Sequence, residues 1–133
     1  MDKCILIGIG VLVAAAAAGC GKRSGSAVVG DLRCEYLVSP LGIDEPKPRL
    51  GWIMTDSTAR GQRQTAYRIL AASTREKIDA GTGDLWDSGT VAADASSGIE
   101  YGGKALASGM TCWWKVRVRD RDGRETPWSE PAF

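Results

Sequence analysis

Carboxylates are the residues of this sequence that could carry out acid–base chemistry, because the chain contains no histidine. Without imidazole there is no serine–histidine triad, no histidine-based metal site and no imidazole general base. The candidate carboxylates are Asp84, Asp87, Glu100, Asp120, Asp122, Glu125 and Glu130. All of them fall in predicted loops, edges or turns. We therefore interpret them as solvated surface or turn residues and assign no catalytic residue.

Length and charge narrow the classes of protein that fit. A chain of 133 residues holds one domain and is too short for a barrel enzyme of about 250 residues. The 17 Lys and Arg residues balance the 16 Asp and Glu residues, for a net charge of +1. Since a nucleic-acid partner normally requires a basic face, this balance argues against one. A binding, anchoring or accessory domain, or a fragment of a larger protein, remains.

The N-terminal segment is typical of an export signal. After Lys3, residues 5–19 carry no charge, and this run is shorter than the roughly 20 apolar residues of a spanning helix. Small residues then precede Cys20, which resembles a bacterial lipobox in which the cysteine is lipidated. We predict a lipoprotein signal peptide over 1–19 and an exported, membrane-anchored lipoprotein, periplasmic or at the cell surface. Plain secretion after cleavage near Ala18, or an uncleaved anchor, are the alternatives.

The rest of the chain alternates between short apolar runs and breaks rich in Gly, Pro, Asp and Ser. No window shows sustained helical periodicity, so we predict an all-β sandwich over 31–133, after a flexible tether over 20–30. Seven strands favour a fibronectin type III or immunoglobulin-like fold. A helical turn fits within 74–83. The predicted strands are 32–37, 49–54, 65–73, 85–89, 99–101, 110–119 and 127–133.

Five tryptophans offer aromatic surface for packing or for ligand stacking. By strand alternation Trp52 and Trp114 face the core. Trp113 faces outward and is the candidate for an exposed contact, either with a following domain or with a sugar ring. We expect Trp128 on the last strand to stack with Arg117 and Arg119 in a structural cation–π ladder. Half of the Trp-Ser signature of cytokine-receptor modules is present, as Trp128-Ser129, although a bacterial lipobox argues against a receptor.

Two cysteines, Cys34 and Cys112, remain after the signal peptide and the lipidation site are set aside. Export permits a disulfide between them. Their predicted strands belong to opposite sheets, so a bridge would have to cross a core about 10 Å thick, which favours two small buried thiols. Two cysteines without histidine argue against a metal site, and no cofactor is expected.

Six segments, taken together and in this order, resemble the N-terminal part of bacterial α-L-rhamnosidases, family 78 of the glycoside hydrolases. The resemblance implies the family's N-terminal fibronectin-type domain, which precedes further β domains and an (α/α)₆ barrel with the catalytic carboxylates. The chain stops before that barrel, and none of its carboxylates matches the family's catalytic segment. The segments are 31–44, 48–52, 64–69, 85–89, 114–120 and 127–133.

Three hypotheses about function follow from these observations. In the first, the chain is the non-catalytic spacer and packing domain of an exported α-L-rhamnosidase-like hydrolase. Its partners would be the downstream domains, the membrane through its lipid and, through the parent enzyme, plant or bacterial rhamnose-containing glycans. In the second, it is an autonomous carbohydrate-binding module, for which Trp113 is the aromatic candidate. In the third, it is a structural or adhesion domain at the cell surface.

Overall fold

The computed structural model describes residues 27–56 and 60–133. Within them, two three-stranded antiparallel sheets have the strand orders β1-β2-β5 and β4-β3-β6. The prediction of an all-β sandwich is confirmed. The predicted signal peptide, 1–19, and Cys20 lie outside the described residues. The elements are β1 (Ala27–Cys34), β2 (Arg49–Asp56), β3 (Ala66–Ala72), α1 (Arg75–Asp79), β4 (Trp86–Asp87), β5 (Ile99–Glu100) and β6 (Trp113–Arg119).

The core lies between the two sheets, and both contribute to it. On β6, Trp114, Val116 and Val118 are almost fully buried, as is Trp52 on β2, so the predicted alternation places these side chains correctly. The Trp52 indole N–H donates to the buried Gln64 side chain at 2.8 Å, which satisfies its polar atom. The buried members of the core are Val29, Leu32, Cys34, Leu50, Trp52, Ile69, Ala71, Leu85, Tyr101, Trp114, Val116 and Val118.

The first strand begins before the predicted domain boundary. The tether was expected over 20–30, but residues 27–30 belong to β1 and pair with the end of β2. Ala27 and Val29 are buried, so residues that the sequence assigned to the tether belong to the core. The register with β2 shifts between Gly30 and Arg33, where Asp31 has a φ of 48°. Bulges at sheet edges increase the local twist and so disfavour pairing with a further strand.

The terminal segment occupies the place of the predicted seventh strand without regular strand pairing. Two side-chain hydroxyls take the acceptor positions that backbone carbonyls hold in a ladder. Thr126 Oγ1 accepts from the Val118 N–H, and Ser129 Oγ accepts from the Val116 N–H, each at 3.1 Å. The backbone N–H of Ser129 in turn donates to the Val116 carbonyl. The segment therefore closes the edge of β6 and leaves both buried N–H groups satisfied.

Helix α1 falls within the region predicted to hold a helical turn. Thr74 caps it, because its hydroxyl accepts from the Lys77 N–H at 3.2 Å. Ile78, on the inner side of α1, is fully buried and packs with Leu70 and Ala72 of β3. In the described part of the chain, no helix is long and apolar enough to cross a membrane.

Cys34 lies on β1 and Cys112 immediately precedes β6, so the two cysteines belong to opposite sheets as predicted. Both are free thiols that pack against the same core. Burial raises the pKa of each thiol to about 11. At neutral pH both are therefore protonated and behave as small apolar side chains.

Candidate functional site

The outward side of the β4-β3-β6 sheet, which we call the tryptophan face, carries most of the residues predicted to form contacts. Antiparallel pairing of β3 with β6 brings Arg68 directly opposite Arg117, and Leu70 opposite Lys115. Successive outward positions of β6 thus form one row. The members of the face are Arg68, Trp113, Lys115, Arg117, Arg119 and Trp128.

Trp128 lies across the cations of this face. The Arg117 guanidinium carbon is 4.8 Å from the Trp128 ring centroid, Lys115 Nζ is 5.1 Å from it, and the Arg68 guanidinium carbon is 5.9 Å from it. Each cation is attracted by the negative face of the indole. Burial lowers the pKa of Lys115, which is only 7% exposed.

Arg119 departs from the predicted ladder. Among the described residues, the cations over the Trp128 ring are Arg68, Lys115 and Arg117. Arg119 instead ion-pairs with Glu125, whose carboxylate also approaches Arg117, at 3.3 Å and 3.5 Å respectively. The reason is local, because the hairpin after β6 returns Glu125 opposite Arg119 before the chain reaches Trp128.

Trp113 is half-buried rather than an open platform. Its ring is 4.9 Å from the Phe133 ring, and the Arg75 guanidinium carbon of α1 is 5.2 Å from its centroid. It packs against a second apolar cluster, formed on the tryptophan face by Leu70, Ala72 and Ile78. The helix therefore covers one end of this face and leaves a sugar ring little of the Trp113 surface.

Asp84 holds the helix against the sheet. Its carboxylate accepts from the Ser73 hydroxyl at 2.6 Å and the Ser73 N–H at 2.9 Å, and Lys77 Nζ lies 3.1 Å away. These hydrogen bonds from Ser73, reinforced by Lys77, hold the pKa of Asp84 far below its ordinary value. A general acid requires the opposite shift, so this carboxylate serves structure.

The other candidate carboxylates that form contacts also serve structure. Asp87 pairs with Arg68 at 2.7 Å, and the hydrogen bond from that guanidinium lowers the pKa of Asp87. Asp120 is buried in the hairpin turn and accepts from the backbone N–H groups of Asp122 and Arg124. Within residues 27–56 and 60–133, no cluster of three or more metal-binding side chains occurs.

A groove on the opposite sheet was not predicted from the sequence. It has a volume of about 240 Å³ and lies between the β1 bulge, β2 and the loop 96–98. Tyr36, which is 64% exposed with a φ of 66°, stands at its rim, and the Arg49 guanidinium carbon is 5.3 Å from the Tyr36 ring. Arg49 also pairs with Glu35, and this hydrogen bond lowers the pKa of Glu35.

We call this outward side of the β1-β2-β5 sheet, with its groove, the groove face. The sequence signal that could have located Tyr36 is weak, because its exposure depends on a turn with two successive positive φ angles, at Glu35 and Tyr36. Such angles are uncommon for residues other than glycine.

Comparison with curated proteins points to one family of enzymes. α-L-Rhamnosidases from Streptomyces avermitilis and Formosa agariphila are 41% and 36% identical to this chain over 99 and 95 residues. The alignments cover 74% and 71% of this chain, but 9% and 10% of those relatives. The chain thus spans about a tenth of the length of the curated relatives it matches.

Solved structures agree with these matches. An α-L-rhamnosidase from Dictyoglumus thermophilum superposes with a TM-score of 0.78 at 34% identity, over 82% of this chain and 12% of that chain. The Streptomyces avermitilis enzyme complexed with L-rhamnose superposes with a TM-score of 0.74 at 40% identity, over 80% of this chain and 10% of that one. A family model described as the Rha78A-like, N-terminal immunoglobulin domain matches residues 29–133. The chain belongs to this family of N-terminal immunoglobulin domains.

Proposed function

We propose that this chain is the non-catalytic N-terminal accessory domain of an α-L-rhamnosidase-like glycoside hydrolase, in which it acts as a spacer and packing surface. One observation carries the proposal: a family of N-terminal domains matches residues 29–133, and the relatives continue far beyond the aligned tenth of their length. The structural use of Asp84, Asp87 and Asp120 supports it, because these carboxylates already hold the helix, the sheet edge and the hairpin.

A chimera tests this proposal. Residues 27–133, from the start of β1, would replace the aligned N-terminal segment of the Streptomyces avermitilis α-L-rhamnosidase. The controls are the unaltered enzyme and a version with that segment deleted. We expect the chimera to unfold in a single transition near that of the unaltered enzyme and to hydrolyse an aryl rhamnoside, whereas the deletion loses stability. A chimera that is no more stable than the deletion would contradict a packing role.

Export and lipid anchoring form a separate part of the proposal. Their support is the charge-free run over 5–19 followed by Cys20. Expression of the full chain in a bacterium supplied with a labelled fatty acid should yield a labelled membrane protein. Cys20→Ala should abolish the label, while Cys4→Ala, the matched control within the signal, should retain it. A Cys20→Ala protein that still carries the labelled fatty acid would contradict the assignment of a lipoprotein.

A second candidate function, carbohydrate binding, is favoured by the groove beside Tyr36. An apolar floor with a few polar groups at the rim suits a small amphipathic ligand. Trp52 lies against this groove, so its fluorescence is a natural reporter. Titration with methyl α-L-rhamnoside should then change the emission of the wild-type chain and leave Tyr36→Ala unchanged. No change in the wild type, or the same change in both proteins, would remove this candidate.

A further inference from the structure

The tryptophan face carries more positive than negative charge. Its cations are Arg68, Lys115, Arg117 and Arg119, and the carboxylates paired with them are Asp87 and Glu125. Arg68 and Arg117 also stand directly opposite each other across the β3–β6 pair. Like charges directly opposite each other destabilise a sheet, and here Asp87 and Glu125 offset part of that repulsion.

Two hydrogen-bond donors on this face are buried without an acceptor. The Nε atoms of Arg117 and Arg119 have no hydrogen-bond partner among the described residues. Buried polar groups are nearly always paired, so an unpaired donor requires an explanation. A cleft of about 10 Å³ is lined by both residues together with Arg68 and Glu125. That volume is close to the space required by one water molecule or one carboxylate oxygen.

Glu125 lines this cleft, but it leaves the Nε atoms of Arg117 and Arg119 without an acceptor. Its carboxylate is shared between the terminal nitrogens of Arg117 and Arg119, at 3.5 Å and 3.3 Å. One carboxylate therefore faces two guanidinium groups. A further anion on this face would meet an excess of charge-assisted donors.

The groove face provides the contrast. There Arg33 pairs with Asp31, and Arg49 pairs with Glu35, each at 3.0 Å. These two ion pairs match cations with carboxylates one for one, and Glu100 on β5, opposite Arg49, adds a further carboxylate to this face. The excess of cations belongs to the tryptophan face and is not a property of the whole chain, whose net charge is +1.

We infer that the tryptophan face docks against an acidic surface of the domain that follows in the parent protein, with a carboxylate oxygen accepting from Arg117 and Arg119. The inference rests on the proposed function, because that function supplies the following domain. Phe133 is the last residue that the family model matches, and it lies against Trp113. A chain that continues past it leaves the domain at this face.

An acidic peptide is the probe for this docking surface. The full chain would be titrated into fluorescein-labelled octaglutamate at low ionic strength, where exposed charges are little screened, and followed by anisotropy. Octaglutamine serves as the uncharged probe. We expect octaglutamate to bind, octaglutamine not to bind, and added salt to weaken the complex.

Two variants should move the affinity in opposite directions. Arg119→Gln removes one donor group and should weaken octaglutamate binding about tenfold, as loss of a charge-assisted hydrogen bond predicts. Glu125→Gln frees both arginines and should tighten binding. Arg33→Gln removes the same charge from the groove face and should change the affinity by no more than about twofold. Tryptophan emission verifies that each variant is folded.

Equal weakening by Arg119→Gln and Arg33→Gln would overturn the inference, as would a wild-type chain that does not bind octaglutamate. The chimera separates this failure from that of the proposed function. A chimera that is stable and active, but indifferent to Arg119→Gln, would retain the accessory role and reject this face as the docking surface. A chimera that is no more stable than the deletion would reject the accessory role itself.

Discussion

The two outward faces of this sandwich differ in what covers them, although both sheets share one core. On the tryptophan face, α1, Trp113 and Trp128 cover the sheet, and a second apolar cluster lies beneath them. On the groove face, Val28 and Ile53 are 53% and 51% exposed, and the absence of a side chain at Gly51 lets Ser96 and Ser97 lie directly against β2. One face is therefore covered by layers of side chains, while the other is covered in part by a loop and bordered by ion pairs.

The two faces are expected to contribute unequally to the stability of the domain. Burial of apolar surface contributes far more than exposed ion pairs, so the tryptophan face should dominate the response to mutation. The cations of this face lie on a surface that is already packed, so they are available to bind an acidic partner. Matched substitutions on the two faces should therefore differ in their effect on the free energy of unfolding.

The largest expected difference in unfolding free energy is between two isoleucine substitutions, Ile78→Ala and Ile53→Ala. Ile78→Ala removes a fully buried side chain under α1 and should lower the free energy of unfolding by about 3 kcal/mol. Ile53→Ala makes the same change on the groove face, where the side chain is half exposed, and should cost less than about 0.5 kcal/mol. Urea denaturation followed by tryptophan fluorescence measures both. Equal losses would break the comparison.

The aromatic residues that bind cations give the next effect. Trp128→Ala removes a ring in contact with three cations and should cost about 2 kcal/mol. Tyr36→Ala removes an exposed ring beside one cation and should cost less than about 1 kcal/mol. Thermal unfolding followed by circular dichroism distinguishes them. A larger loss in Tyr36→Ala would show that the groove face contributes more packing than its exposure indicates.

A smaller effect is expected from the hydroxyl that closes the sheet edge. Ser129→Ala leaves the buried N–H of Val116 without that acceptor and should cost about 1–2 kcal/mol. Ser97→Ala, at the exposed rim of the groove, should change the free energy of unfolding by less than about 0.5 kcal/mol. Hydrogen exchange at Val116 should accelerate in the first variant alone. Unchanged exchange there would mean that the hydroxyl is not the acceptor that protects it.

The smallest effect is a dependence on pH. Because the folded-state pKa of Asp84 is depressed, its contribution to stability is complete above the ordinary carboxyl pKa near 4. That contribution is lost as the pH falls through the folded-state value. Asp84→Asn should therefore flatten the loss of stability on acidification, and more so than Glu35→Gln on the groove face. Acid titrations of both variants that parallel the wild type would contradict the assignment.

Alternation along single strands made the core predictable. Trp52, Trp114 and the outward position of Lys115 follow from a period of two, which depends only on local geometry. Helix α1 was also predictable as a helical turn, but the contact of its Arg75 with Trp113 was not. That contact joins residues far apart in sequence, and no local pattern encodes it.

Two other features depended on pairing rather than on pattern. Residues 27–30 follow a small polar run that resembles a linker, and they form strand because the end of β2 pairs with them. Arg119 has the correct spacing to stack on Trp128. It pairs with Glu125 instead, because the hairpin places Glu125 opposite it. In both cases the pairing of one backbone segment with another decided between alternatives that the side-chain pattern left open.

Footprinting of the chimera tests the central claim most directly. Carbene labelling would be compared between the isolated chain and the chimera with the Streptomyces avermitilis enzyme. The account predicts that fusion protects Arg119 and Phe133 on the tryptophan face, while Val28 and Ile53 on the groove face remain labelled. Protection confined to Val28 and Ile53 would contradict it, because the packing surface would then be the groove face.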